Sequence, residues 1–159
     1  MKIVLFLILL CPLLLAQTTT AIGVELIKHY EGFRGKAYLC PASVQTVGYG
    51  HLTSKPMVIT EYEAEQLLMQ DLPRYEKYVS KSSLRYLRWY EFDALVSFTF
   101  NVGYRFDQSF RYGIDNSNTA MVIARMSKYI YGGGRILPGL VSRRKSETKL
   151  YKYAILIYY

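Results

Sequence analysis

The chain has 159 residues, 51% of them apolar and 16 of them Tyr, with 20 basic residues against 12 acidic for a formal charge of +8. That length suits one compact domain rather than two large ones, and that composition excludes an intrinsically disordered chain. The basic balance fits an anionic partner, whether nucleic acid, a membrane surface or a negatively charged cell wall.

Lys2 precedes an apolar run over residues 3–15, and small and hydroxylic residues follow up to Ala21. A charged start, a run of this length and small residues beyond it describe a secretory signal peptide over residues 1–21. The run is shorter than the ~20 residues of a comfortable membrane span. Cleavage after Ala16 or after Ala21 fits, with Thr19 and Ala21 the better small-x-small pair. An uncleaved membrane anchor is the competing reading. The folded domain then occupies residues 22–159. Loss of the leader removes Cys11 and the charge of Lys2, leaving Cys40 as the one cysteine and a formal charge of +7. A single thiol builds no intramolecular disulfide framework. With only His29 and His51 beside it, no structural metal site is expected, and no cofactor. Export and the lack of a recognition motif argue against nucleic acid, which leaves a wall polymer or a membrane surface reached through the N-terminal segment. The chain is expected to act as a secreted monomer, periplasmic if its source is a bacterium or phage.

Ile22, Leu26, Ile27 and Tyr30 recur at helical spacing and predict an amphipathic helix ending near Gly32, with His29 on its solvated face. Short runs over residues 36–40 and 45–49 predict a small antiparallel sheet, too small to stand without helices packed on it. Thr60 followed by Glu63 reads as a capping box opening a helix over residues 61–80, which either kinks at Pro73 or restarts there. Phe92, Leu95, Val96 and Phe100 mark the most apolar helix, stopped at Gly103. Residues 104–118 are turn-rich and carry no helix pattern. A helix over residues 119–131 closes at three glycines, and a last basic helix runs over residues 140–151 after Pro138. The apolar sequence 151–159 is expected to pack on the body or to add a strand. The predicted class is α+β: a small sheet-bearing lobe, a connecting helix and a mostly helical lobe with a cleft between them.

The chemistry concentrates in residues 30–51. Eight residues separate Glu31 from Cys40, and five separate Cys40 from Thr46. Hydrolysis of a glycosidic bond needs an acid for the leaving oxygen and a group that places water on the other face of the ring. Glu31, between Tyr30 and Phe33, has the apolar neighbours that a general acid uses.

Glu31-Gly32-Phe33-Arg34, then Ala37-Tyr38-Leu39-Cys40, then Thr46-Val47-Gly48-Tyr49-Gly50-His51 resembles the bacteriophage-type lysozymes, the muramidases and endolysins of glycoside hydrolase family 24. The likeness continues through Thr60-Glu61-Tyr62-Glu63-Ala64, Phe92-Asp93-Ala94-Leu95 with Phe100-Asn101-Val102-Gly103, and Arg143-Arg144 with Glu147. It implies a lysozyme-like fold and hydrolysis of peptidoglycan between N-acetylmuramic acid and N-acetylglucosamine. Glu31 would be the general acid, and Thr46 would hold the attacking water. Cys40 stands where relatives carry Asp or Cys. Its thiol, with a pKa of about 8.5, is a poorer base than a carboxylate unless its surroundings lower that value. The resemblance further implies that Leu52, Phe100 and Ser109 line the sugar cleft and that His51 pairs with Asp71 as a structural ion pair. It also implies inversion at the anomeric carbon, with the two reacting groups ~6.5–9.5 Å apart. Ser43 stands where a turn glycine is usual, and Gln45 replaces an aromatic residue. A catalytically weak peptidoglycan-binding protein on the same fold is the alternative function.

Overall fold

The computed structural model describes residues 16–39 and 45–153. The expectations for Cys40, Ser43, the apolar run over residues 3–15 and the sequence beyond Tyr153 fall outside these residues. The chain opens with helix α1 (Ala21–Glu31) and enters a three-stranded antiparallel sheet of β1 (Arg34–Leu39), β2 (Gln45–Gly48) and β3 (His51–Leu52). Helix α2 (Glu61–Lys81) connects this sheet to α3 (Trp89–Val102), α4 (Gln108–Asp115), α5 (Thr119–Met126), a two-stranded ribbon of β4 (Tyr131–Gly132) and β5 (Arg135–Ile136), and α6 (Pro138–Tyr151). The architecture is α+β.

Helix α1 begins in an unusual way. Thr20 occupies its N-cap but makes no side-chain cap of its own. The cap comes from α3: the Asp93 carboxylate accepts the N–H of Thr20 at 3.0 Å, the Thr20 hydroxyl and the N–H of Gly23. Asp93 is fully buried, and burial pushes its carboxyl up from the ordinary value. Beside it, Glu76 of α2 accepts both the N–H (2.7 Å) and the hydroxyl (2.8 Å) of Thr19. These two carboxylates do for the first turn what a local Ser or Asp does elsewhere. A Cβ at Gly23 would come within 2.7 Å of Asp93 Cγ, so the close approach of α1 and α3 requires glycine there.

The sheet register pairs Tyr38 with Thr46, Thr46 with Leu52, and Val47 with His51. Gly48, at φ +64°, lets β2 lie against α2, where a Cβ would stand 2.9 Å from that of Ala64. Thr60 and Glu63 form the capping box of α2: Thr60 Oγ1 accepts from Glu63 N (3.3 Å), and Glu63 Oε2 accepts from Thr60 N (2.7 Å). The helix passes through Pro73 as one element, although proline removes an intrahelical donor there. Tyr75, Tyr78 and Val79 beyond the proline pack against the core and carry the helix onward.

Every residue of α3 from Tyr90 to Thr99 is buried, because α1, α2 and α6 enclose it. The core around it includes a cluster of Phe98, Phe106 and Phe110, with ring centroids of the last two 4.6 Å apart. Two expectations need correction. Residues 104–118 hold α4, whose N-cap Asp107 accepts from Phe110 N at 2.8 Å and whose Phe110 and Ile114 are buried. The predicted helix over residues 119–131 ends at Met126, and the glycines form the turn of the β4–β5 ribbon, with Gly133 and Gly134 both at positive φ.

Candidate active site

Glu31 is the last residue of α1, where Gly32 at φ +69° breaks the helix and turns the chain into the sheet. Its Oε1 accepts a 2.6 Å hydrogen bond from Nη1 of Arg143 on α6. Its Oε2 faces Gly50: a Cβ there would stand 3.7 Å from Oε2 and 3.7 Å from the ring of Phe100. The backbone at Gly50, with φ +95°, is of the kind that favours glycine. Glu31, Gly50 and Phe100 come together where the sheet meets the helices. Phe100 is also held from behind by Tyr75, with ring centroids 4.8 Å apart.

The Arg143 guanidinium is 3% exposed, against 22% for the Glu31 side chain. It spends its other donors inside α6 and α3, with Nε on Glu147 Oε1 (3.1 Å) and Nη2 on the main-chain oxygen of Ser97 (3.2 Å). Glu147 is fully buried and also accepts from the Ser97 hydroxyl at 2.9 Å. Arg144 adds a second guanidinium, with Nε 2.9 Å from Glu147 Oε2 and Nη2 bonded to Asn101 Oδ1 (3.0 Å). Burial pushes the Glu147 carboxyl up and the Arg144 guanidinium down, and their mutual attraction opposes both shifts. Two cations and two carboxylates thus form one balanced buried cluster that ends in Glu31. In the sequence, Arg143, Arg144 and Glu147 carry the likeness to the phage lysozymes but no role of their own. Their helical spacing of three and four residues was the available signal.

Thr46 is buried in the middle of β2, opposite Leu52, whose side chain is exposed. Cys40 lies outside the described residues. His51 Nδ1 lies 2.9 Å from Asp71 Oδ2, and Arg74 approaches the other oxygen of Asp71 at 3.3 Å, tying β3 to α2. Ser109 lies in the first turn of α4. Its hydroxyl donates to Asp107 Oδ1 (2.9 Å), and the Arg125 guanidinium lies on both residues. These contacts belong to the N-terminus of α4. Among the described residues no three His, Cys, Asp or Glu side chains gather as a metal site.

The family model of phage lysozymes matches residues 28–147, the span from the turn before Glu31 to Glu147. The chain belongs to the phage lysozyme family. Among this family's members, the chain is 36% identical to an endolysin of Acyrthosiphon pisum secondary endosymbiont phage 1 over 83% of its own length and 96% of the relative's. It is 35% identical to the endolysin of Bacillus phage PZA over 81% of its length, and it spans only about half (53%) of that protein. Among solved structures, the muramidase domain of SpmX from Asticaccaulis excentricus superposes with a TM-score of 0.76 at 29% identity, covering 85% of this chain and 97% of that one. The fold is therefore that of a phage lysozyme, and the Glu31 cluster lies within the shared span.

Proposed function

We propose that this chain is an exported peptidoglycan hydrolase that cleaves the β-1,4 bond between N-acetylmuramic acid and N-acetylglucosamine. The observation that carries the reading is the placement of Glu31: one oxygen is fixed by a buried guanidinium, and the other faces Gly50 beside Phe100. Arg143 orients the carboxyl, and Oε2 delivers the proton to the leaving glycosidic oxygen. Water held by Thr46 and Cys40 attacks the anomeric carbon from the opposite face. Phe100 and Leu52 offer apolar surface to the sugar rings. The formal charge of +8 draws the protein to an anionic wall. Support comes from the family and from relatives named endolysins.

The test is loss of turbidity and release of reducing ends from a bacterial wall suspension, with Glu31→Gln as the comparison. Removing the acid is expected to lower the rate by ~10²–10⁴-fold. Equal rates for the two proteins would reject Glu31 as the acid. The first product should carry the inverted anomeric configuration, and net retention would reject the water-placing role given to Cys40 and Thr46.

A further inference from the structure

At the end of α1 remote from Glu31 the surface changes character. Between α2 and α3 the chain exposes Leu84 (94%), Tyr86 (70%) and, at the start of α3, Trp89. Tyr153 lies edge-on against Trp89, ring centroids 5.1 Å apart, and extends the same apolar surface. Two adjoining grooves of about 550 and 620 Å³ run along it and share Ala16, Gln17, Tyr86 and Leu87 as walls. Lys77, Lys81, Arg88 and Lys152 are all exposed around this region. The neighbouring acids are engaged within the fold: Glu76 with Thr19, Glu91 with Arg85, and Asp115 with the main chain of Leu84. Glu76 and Asp115 accept from neutral donors and keep their charge, but the four exposed cations outnumber them and the rim is net positive.

Both ends of the described chain arrive here. Gln17 exchanges two hydrogen bonds with the main chain of Leu87, at 2.8 and 3.3 Å. Tyr153 immediately precedes Ala154-Ile155-Leu156-Ile157-Tyr158-Tyr159. A single exposed leucine carries no message, but contiguous apolar surface with a polar rim does. Tyr and Trp settle at the headgroup level of a bilayer, where Lys and Arg meet anionic lipid. We propose that the face formed by Leu84, Tyr86 and Trp89, with its basic rim, docks on an anionic phospholipid bilayer. Glu31 lies at the other end of α1, ~16 Å away along an 11-residue helix. Docking by this face leaves the acid clear of the lipid. The inference stands on the surface alone and does not depend on the hydrolytic reading.

Trp89 is the chain's single tryptophan, so its emission in the full-length protein reports on this face. The protein is titrated with mixed phosphatidylcholine–phosphatidylglycerol vesicles and with phosphatidylcholine alone, each with and without brominated acyl chains. Anionic vesicles should shift the emission to the blue and brominated lipid should quench it. Lys81→Gln and Arg88→Gln should each weaken the titration about fivefold. Leu84→Glu should remove the quenching without altering the melting temperature. Co-sedimentation with vesicles while Trp89 emission stays unchanged overturns the proposal, because the terminal sequences alone would then hold the protein. Equal responses to the two lipid mixtures overturn it as well. A blue shift that tracks protein concentration without lipid makes the face a contact between copies and likewise overturns it.

Discussion

Replacing Arg143 by Met keeps the length and apolar bulk of the side chain and removes its charge. The guanidinium is 3% exposed and serves three acceptors: Glu31, Glu147 and the carbonyl of Ser97. Its loss leaves the Ser97 oxygen with only its intrahelical partner and leaves the fully buried Glu147 with Arg144 and the Ser97 hydroxyl. Removing one member of a buried ionic cluster costs about 3–5 kcal/mol, because the remaining charge has been desolvated without its partner. For a domain of this size that corresponds to a fall in Tm on the order of 10 °C or more. Glu31→Gln should behave differently. Glu31 keeps 22% of its side chain in solvent, and the amide oxygen of Gln can still accept from Arg143, so the change in stability should stay within about 1 kcal/mol. Urea unfolding of the two variants and of the double variant measures the individual costs and their coupling. A cost below about 1 kcal/mol for Arg143→Met would refute the view that the cluster is a net structural element.

Starting the chain at residue 22 removes Thr19 and Thr20 and leaves the Glu76 and Asp93 carboxylates without those donors. It should cost about 3 kcal/mol or more against a chain starting at residue 17, as read by the unfolding midpoint. Gly23→Ala should also destabilise, since overpacking against Asp93 costs about 1–3 kcal/mol and outweighs the ~1 kcal/mol by which Ala favours a helix. The Asp107 carboxyl is held below its ordinary value by the Phe110 N–H, the Ser109 hydroxyl and the Arg125 guanidinium. Its contribution is complete above the unfolded carboxylate range near pH 4 and is lost as pH falls through the lower folded value. Asp107→Asn keeps a cap but should flatten the acid limb of Tm against pH. His51→Asn should lower stability by about 1 kcal/mol through loss of the tie from β3 to α2, and unchanged melting would reject that tie.

The α+β architecture was legible because the main helices carry strong period and boundary signals: Gly32 and Gly103 as stops, Thr60 with Glu63 as a start, Pro138 at a first turn. Helix α4 was not. Eight residues with only Phe110 and Ile114 spaced by one turn look like a turn-rich loop until Phe98 and Phe106 are seen to pack on Phe110. The glycines after α5 read as a stop but form a ribbon turn, because positive φ serves both purposes. Glu31 and Thr46 were marked by a spacing that resembles that of the phage lysozymes. The buried cluster behind Glu31 was not, since charged residues on a basic helix ordinarily face water and only the packing of α6 on α3 turns Arg143 and Glu147 inward. Ser109 was marked only by resemblance to relatives, and its hydroxyl bonds the Asp107 carboxylate at the start of α4.

The two ends of α1 are held by parts of the chain synthesised long after it. Its first turn is capped by Asp93, 73 residues downstream of Thr20, and its last residue meets Arg143, 112 residues downstream of Glu31. A helix of 11 residues is marginal on its own in water. While the chain is still emerging from the ribosome, the segment before Glu31 therefore has neither its cap nor its anchor, and loop closure over these separations comes late. The acid's surroundings cannot assemble before α6 has been made, so a partly made chain carries the residues of the site without a working arrangement of them.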